Sequence, residues 1–276
     1  MTQCDDSMER RNIHLPDLNV KLTGYVGVIE IRRPPHNFFD FALIKAIADA
    51  LDWLAEQTDC RCVVLAAAGK AFCAGARFGN DHADPDASAE FTEDGFRHTT
   101  GKLYTCALRI FANPLPLVAA VQGPAIGGGL GLALSADFRV ADYNARFAAN
   151  FVKLGLHQGF GISVTLPRIV GTVAASAMLL TGQRLNAEAA QRIGLVDRLV
   201  DGDVREAAIT LAEEIAENAP LAVRSVRKTL REGLVAEIAA ATEHELSEQQ
   251  WLRATADARE GIRAVAAREP GRFIGE

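Results

Sequence analysis

Three consecutive glycines, Gly127 to Gly129, restrict the possible fold more than any other feature of this sequence. They follow a short apolar run at residues 118–121 and precede a helical pattern at residues 130–136. A short apolar run between turn residues is typical of a strand buried on both faces. Glycines at such a junction indicate that the backbone closely approaches either a ligand or another element of the fold. Taken alone, the run favours a tight contact between helix and sheet.

The same strand signal recurs along the first part of the chain, and helical patterns separate its occurrences. Strand patterns cover residues 22–31, 62–66 and 139–141, and helical spacing covers residues 39–56. Strands that alternate with helices imply crossover connections, so we predict an α/β fold with a largely parallel sheet. Later patterns are helical, which predicts a C-terminal helical subdomain with helices at 174–180, 187–193, 204–218, 221–234 and onward to residue 254.

Composition excludes several classes of protein. The 29 basic residues against 35 acidic ones give a net charge of −6, which argues against a general nucleic-acid binder. No run approaches the roughly 18 uninterrupted apolar residues of a membrane span, so we expect no membrane partner. Residues 1–12 lack the pattern of a secretory signal, so we expect a cytoplasmic protein. Five cysteines form no disulfide framework, and Cys60 and Cys62 lack a second ligand pair, so we expect no metal.

Known catalytic and nucleotide-binding motifs do not match the glycine-rich segment. A dinucleotide-binding G-x-G-x-x-G would need glycine where Leu132 or Leu134 stands, and no P-loop, G-x-S-x-G or H-E-x-x-H sequence occurs. What remains is a helix N-terminus with unobstructed backbone N–H groups. Such a site is suited to hold a developing oxyanion.

Two segments carry a resemblance to a known family. Residues 63–78 (VVLAAAGKAFCAGARF) and 116–141 (PLVAAVQGPAIGGGLGLALSADFRVA) strongly resemble the crotonase, or enoyl-CoA hydratase/isomerase, superfamily. Residues 27–34, 187–200, 216–228 and 260–273 extend the likeness over most of the chain.

The resemblance implies a crotonase-like spiral of β-β-α units that binds an acyl-CoA thioester and assembles as a homotrimer or homohexamer. It implies no metal or redox cofactor, since coenzyme A is part of the substrate. On this basis we divide the chain into a flexible N-terminal tail (1–18), a spiral core (19–200) and a C-terminal helical trimerisation subdomain (201–276).

Site residues follow from the same resemblance. The backbone N–H groups of Ala76, in CAGA, and Gly128, in IGGGL, would form an oxyanion hole for the thioester carbonyl. Ala74, Phe78 and Gly127 of the same two motifs are then expected beside the substrate.

The sequence departs from the family where hydratases carry their acid and base. Matching the motifs places Gly131 at the first glutamate position and Phe151 at the second. Some isomerases and dehalogenases of the family use an aspartate at a third position, which here is Gly159. With these residues the ordinary hydratase mechanism, in which two carboxylates add water, cannot operate.

Other polar groups remain as candidates around the expected pocket. His157 would move a proton or orient water, or it caps a turn through a carbonyl; Gln158 would polarise a carbonyl or hold water, or it makes a plain loop contact. Asn150 belongs to the stretch that lines the acyl site in the family. His36 would approach the CoA chain or lie in a solvated turn, and Arg77 would contact a CoA phosphate or form a surface salt bridge.

Aromatic residues and loop charges complete the set of candidates. Phe38, Phe39 and Phe151 would line an apolar acyl pocket or simply pack in the core. Several charged residues of segment 79–103 would either approach the pocket or be solvated. They are Asp81, His82, Asp84, Asp86, Glu93, Asp94 and His98.

Three functions fit these residues. The leading hypothesis is an enzyme that stabilises a thioester enolate and catalyses isomerisation, C–C cleavage, decarboxylation or hydrolysis. The second is a non-catalytic acyl-CoA binding protein, which would explain the loss of all three acid positions. The third is a weak hydratase that uses water relayed by His157 and Gln158.

Overall fold

Two sheets organise the chain in a computed structural model that describes residues 11–15, 17–76 and 93–276. The larger sheet has the strand order β1-β2-β3-β4-β5-β7-β10 and the smaller one β6-β8-β9. Their strands are β1 (Arg11–Leu15), β2 (Leu18–Thr23), β3 (Val26–Ile31), β4 (Cys62–Ala67), β5 (Leu117–Val121), β6 (Pro124–Ile126), β7 (Phe138–Asp142), β8 (Arg146–Ala148), β9 (Arg184–Asn186) and β10 (Arg198–Val200).

Helices connect these strands and follow them. They are α1 (Phe41–Glu56), α2 (Glu93–Ala112), α3 (Gly128–Leu134), α4 (Ile162–Thr181), α5 (Ala187–Arg192), α6 (Val204–Ala216), α7 (Pro220–Leu230), α8 (Leu234–Leu252) and α9 (Ala256–Ala267), with a 3-10 helix at Asn150–Leu154. From β3 onward the larger sheet is parallel, because β3 pairs in parallel with β4, β4 with β5, β5 with β7, and β7 with β10. The predicted α/β class with crossover connections is confirmed.

The parallel sheet is covered on both faces, as the continuous apolar runs of β4 and β5 predict. Val63 and Leu65 contribute to the large core shared with α1, whereas Val64 and Ala66 pack in a second cluster with residues of α6. Because successive side chains of a strand point to opposite faces, a strand between two helical layers must be apolar throughout. Helix α6, which the sequence analysis assigned to the C-terminal subdomain, therefore covers the core sheet.

The strand predictions near the N-terminus need correction. Residues 22–31 are not one strand, because Gly24 (φ 57°) and Tyr25 form a turn between β2 and β3. The two strands form an antiparallel hairpin that pairs Thr23 with Val26. Residues 11–15, assigned to the flexible tail, form β1 and pair with β2.

Helix α4 begins earlier than the predicted helix at 174–180. Its 20 residues have a mean hydropathy of 1.5, so by length and composition it is long and apolar enough to cross a membrane. Core helices of other folds pass the same test, but here only 28% of the apolar window is buried, including Ile162, Leu166 and Met178. Its backbone is not helical at Gly171 (φ 77°, ψ 160°). The helical pattern at residues 174–180 therefore predicted only the C-terminal part of α4.

The buried cysteines give a prediction about thiol reactivity. Burial raises the pKa of Cys60 to about 11 and those of Cys62 and Cys73 to about 12. Because the thiolate is the reactive form, iodoacetamide at pH 8 should leave these three residues unmodified in the native protein and alkylate them after denaturation. Peptide mass spectrometry measures both states, and rapid native labelling would contradict the assigned burial.

Candidate functional site

The glycine-rich segment between β6 and α3 is held between two other parts of the chain. On one side the N–H of Ile126 donates to the carbonyl of Cys73 (3.0 Å), and on the other the N–H of Gly127 donates to that of Ala148 (2.8 Å). Cys73 and Ala125 also form an isolated parallel bridge. These bonds bring the start of α3 against the loop that carries residues 73–76.

Close approach explains why glycine is needed in this run. A Cβ atom on Gly129 would lie 2.0 Å from the carbonyl oxygen of Cys73, and one on Gly128 would lie 2.1 Å from the ring of Phe39. Gly127 has φ 57°, a left-handed conformation that favours glycine. The tight contact expected from the sequence is therefore present at Gly129.

Ala76 and Gly128, the two predicted oxyanion-hole residues, lie on these adjoining segments. The N–H of Phe39 donates to the carbonyl of Gly75 (3.0 Å), and Phe39 and Ala76 form a parallel bridge. Because successive backbone groups of an extended segment alternate in direction, the N–H of Ala76 points away from Phe39. A Cβ atom on Gly75 would lie 3.4 Å from the nitrogen of Gly128. Gly128 is the first residue of α3, where N–H groups have no acceptor within the helix.

Asn150 and Phe151 flank the same segment from the 3-10 helix. A Cβ atom on Gly127 would lie 3.6 Å from Oδ1 of Asn150 and 3.7 Å from Cζ of Phe151. Phe151 also packs against the buried cluster of Leu154, Leu156 and Ala258. The structure therefore brings these two predicted substrate-binding residues to the glycine run.

The turn at residues 36–39 lies beside the loop that carries Ala74. The N–H of Ala74 donates to the carbonyl of His36 (3.0 Å). The exposed His36 ring lies 5.3 Å, between centroids, from the half-buried ring of Phe38. Buried Asn37, which the sequence analysis missed, donates to the carbonyls of Ala68 (2.8 Å) and Ala71 (2.7 Å) and so fixes the turn to that loop.

Several predicted residues lie outside the part of the chain that the structure describes. Arg77, Phe78 and the charged residues 81, 82, 84 and 86 fall within the undescribed segment 77–92. The backbone of Glu93 and Asp94 begins α2, and the side chain of His98 on that helix is exposed.

Other side chains occupy the space beside two of the positions that lack an acid. A Cβ atom on Gly131 would lie 2.9 Å from both Cβ and Cδ1 of Phe160. One on Gly159 would lie 2.1 Å from the hydroxyl of Tyr104. Phe160 is fully buried and packs its ring against those of Phe39 and Phe111 at centroid distances of 5.6 and 6.1 Å.

Introducing a hydratase-like carboxylate at the first position should therefore destabilise the fold. We expect Gly131→Glu to lower the free energy of unfolding by roughly 2–3 kcal/mol, because the new side chain overlaps Phe160 and buries a carboxylate. Chemical denaturation measures this change, and Gly131→Glu should cost less in a Phe160→Ala background, which lacks the overlapping ring, than in the unmodified chain. A Gly131→Glu protein as stable as the unmodified chain would contradict this packing.

The loop at residues 157–163 carries the predicted His157 and Gln158. Nδ1 of His157 lies 2.8 Å from the carbonyl oxygen of Gln158, the contact that the structural alternative anticipated. Because a carbonyl oxygen only accepts, Nδ1 carries the proton, and in the neutral ring Nε2 is left as the basic nitrogen. Nε2 of Gln158 donates to Oγ of Ser163 (2.9 Å), so its amide serves as a loop contact.

A buried carboxylate next to this loop escaped the sequence analysis. Glu245 of α8 is fully buried and accepts hydrogen bonds from the N–H groups of Gly161 (2.8 Å) and Ser163 (3.0 Å). Burial raises its pKa, and the hydrogen bonds from Ser163 and Gly161 oppose that rise. No local pattern distinguishes it from Glu243 and Glu248 on the same helix, because its partners lie more than 80 residues earlier in the chain.

Comparison with known proteins gives consistent matches along the chain. The sequence model of the family described as Enoyl-CoA hydratase/isomerase matches residues 22–275. A putative enoyl-CoA hydratase of Thermus thermophilus is 37% identical over 91% of this chain and 98% of that protein. The 2,3-dehydroadipyl-CoA hydratase of Escherichia coli is 32% identical over 95% of this chain and 100% of its own length. A crystal structure of an enoyl-CoA hydratase/isomerase from Pseudoalteromonas atlantica has a TM-score of 0.79 at 30% identity, covering 94% of this chain and 100% of that one.

Proposed function

Because this chain belongs to the enoyl-CoA hydratase/isomerase family, whose members are enzymes acting on CoA thioesters, we propose that it converts an acyl-CoA thioester through an enolate held by the N–H groups of Ala76 and Gly128. The observation that carries the proposal is the meeting of the two segments, with the Cβ position of Gly75 3.4 Å from the Gly128 nitrogen. Bonds from Ile126 and Gly127 fix the start of α3 in that place.

Charge development on the thioester oxygen explains what this arrangement would do. Removal of a proton from the α-carbon, or bond cleavage there, moves an electron pair towards the carbonyl oxygen. Two donors fixed by the fold stabilise that charge without reorganising, and each is worth about 3 kcal/mol in comparable acyl-transfer sites. Nε2 of His157 is the basic group that we assign to the proton, since Nδ1 is engaged by the Gln158 carbonyl.

The filled acid positions favour some reactions of the family over others. Isomerisation, C–C cleavage, decarboxylation and hydrolysis can each pass through an enolate or a tetrahedral oxyanion without paired glutamates. Phe160 lies against Gly131, and Phe151 packs against the buried cluster of Leu154, Leu156 and Ala258. We therefore place these reactions ahead of hydration, and a weak hydration through water held by His157 and Gln158 last.

A second candidate function is acyl-CoA binding without catalysis. The same filled positions favour it, because a chain that only binds thioesters needs no acid or base beside the glycine run. One N–H of the Gln158 amide is engaged by the hydroxyl of Ser163. This alternative retains the two backbone donors, so binding measurements alone do not separate it from the enzyme.

We also propose that the chain assembles as a homotrimer or homohexamer. Helix α7 has no buried residue, and it exposes apolar side chains, with Leu221 at 80% and Leu230 at 71% exposure. Exposed apolar patches of this kind mark interaction surfaces. Size-exclusion chromatography with light scattering tests this assembly, and a monomer at micromolar concentration would contradict it.

A panel of thioesters separates the two functions. Purified protein is incubated with saturated, 2-enoyl, 3-enoyl, β-keto and malonyl-type CoA thioesters, and both consumption and binding are measured. The enzyme proposal expects at least one thioester to be consumed, and His157→Ala to consume the same thioester much more slowly. Tight binding of several thioesters with none consumed, even at high protein concentration, would support the binding protein instead.

A further inference from the structure

The loop that carries His157 and Gln158 contains a backbone conformation that needs support from its surroundings. Phe160 and Gly161 are consecutive residues with positive φ, 63° and 72°. A bulky side chain in that conformation is strained and persists only where its surroundings enforce it. Helix α4 then begins after Gly161, which offers no side chain to cap the free N–H groups of the first turn.

Two side chains of helix α8 form hydrogen bonds with the backbone of this loop. Glu245 accepts from the N–H groups of Gly161 and Ser163 and thereby caps α4 from another part of the chain. A carboxylate at this end of a helix is also favoured by the helix dipole. One turn further along α8, Nε2 of Gln249 donates to the carbonyl of His157 (2.9 Å). The two side chains of α8 therefore hold both ends of the loop.

We propose that Glu245 is a positioning residue for His157, setting where the imidazole lies relative to the thioester bound at Ala76 and Gly128. This inference rests on the proposed function. Its physical basis is the fully buried carboxylate with both oxygens bound to loop backbone. Small displacements of a reacting group cost large factors in rate.

The test measures the rate at which the α-protons of butyryl-CoA exchange in deuterium oxide. Butyryl-CoA is a saturated thioester, so it cannot be hydrated. Glu245→Gln keeps the shape of the side chain, but its amide can accept only one of the two N–H groups and carries no charge. We expect the exchange rate at saturating butyryl-CoA to fall about tenfold or more, with the half-saturating concentration changed by less than about twofold. The matched control on the same helix is Glu237→Gln, whose partner Arg168 lies at 3.4 Å on the surface, and it should exchange like the unmodified protein.

A double-mutant cycle separates positioning from a general structural role. If Glu245 acts through His157, then adding Glu245→Gln to His157→Ala should lower the remaining exchange by less than about twofold. Effects that multiply, or a Glu245→Gln protein that exchanges as fast as Glu237→Gln, would overturn the inference. No exchange by the unmodified protein would instead contradict the proposed function itself.

Folding of the variants is checked by circular dichroism and size-exclusion chromatography. If Glu245→Gln does not fold, Glu245→Asp replaces it, because the shorter carboxylate keeps its charge but cannot reach both N–H groups. The same loss in rate and the same non-additivity with His157→Ala are expected. If neither variant folds, the inference is overturned, since Glu245 would then serve the fold and not His157.

Discussion

Alanine in place of Gly129 is expected to lower the free energy of unfolding by about 3 kcal/mol. The new Cβ would lie 2.0 Å from the carbonyl oxygen of Cys73, which is backbone and cannot rotate away. Either α3 or the loop before Ala76 must therefore shift. For a chain of this size the change corresponds to a fall in Tm of roughly 6–12 °C, measured by thermal unfolding at one protein concentration.

The matched control is Gly101→Ala within α2. There the nearest atom to the new Cβ is Cδ2 of Leu246 at 3.7 Å, an ordinary contact. Alanine is preferred to glycine inside a helix by roughly 0.5–1 kcal/mol, so this variant should be unchanged or slightly more stable. Equal Tm values for the two variants would show that α3 does not approach Cys73 as closely as described.

Proline in place of Ala76 is expected to lower turnover by about 100-fold or more. Proline has no backbone N–H, so the substitution removes one of the two proposed donors, a loss that costs about 3 kcal/mol in comparable sites. The N–H of Ala76 takes no part in the hydrogen bond between Phe39 and Gly75, and the side chain of Ala76 is exposed. The measurement is kcat on the thioester that the unmodified protein consumes.

Two controls accompany this variant. Ala76→Gly and Ala76→Ser retain the N–H and should keep kcat within a few-fold of the unmodified protein. Thermal unfolding of Ala76→Pro tests whether the loop remains in place. A folded Ala76→Pro protein with unchanged kcat would remove Ala76 from the proposed oxyanion hole.

Local patterns predicted the centre of the parallel sheet well because strands β4 and β5 are apolar throughout. Residues 62–66 and 118–121 are too continuously apolar for an exposed element, and both lie in the central strands β4 and β5. The hairpin at Gly24 was missed because strand-like residues continue on both sides of the turn. Strands β6, β8 and β9 have three residues each, which is too short for periodicity to reveal.

The sequence was sufficient to predict the family but not all of the contacts within the site. The two glycine-rich motifs sufficed to identify the family, which the comparisons confirm. They also identified Ala76 and Gly128, whose segments the fold brings together. Contacts between distant parts of the chain left no signal, such as Phe160 against Gly131. Glu245 escaped notice for the same reason, since its role depends on the backbone of another helix.

The most direct test of the oxyanion-hole proposal is the rate at which deuterium enters the α-carbon of butyryl-CoA in deuterium oxide, read by mass spectrometry. Exchange at this carbon requires an enolate, and no later chemical step is needed for it to be observed. The proposal predicts exchange with the unmodified protein, its loss with Ala76→Pro, and its retention with Ala76→Ser. Bound butyryl-CoA that acquires no deuterium, or equal exchange by Ala76→Pro and the unmodified protein, would contradict it.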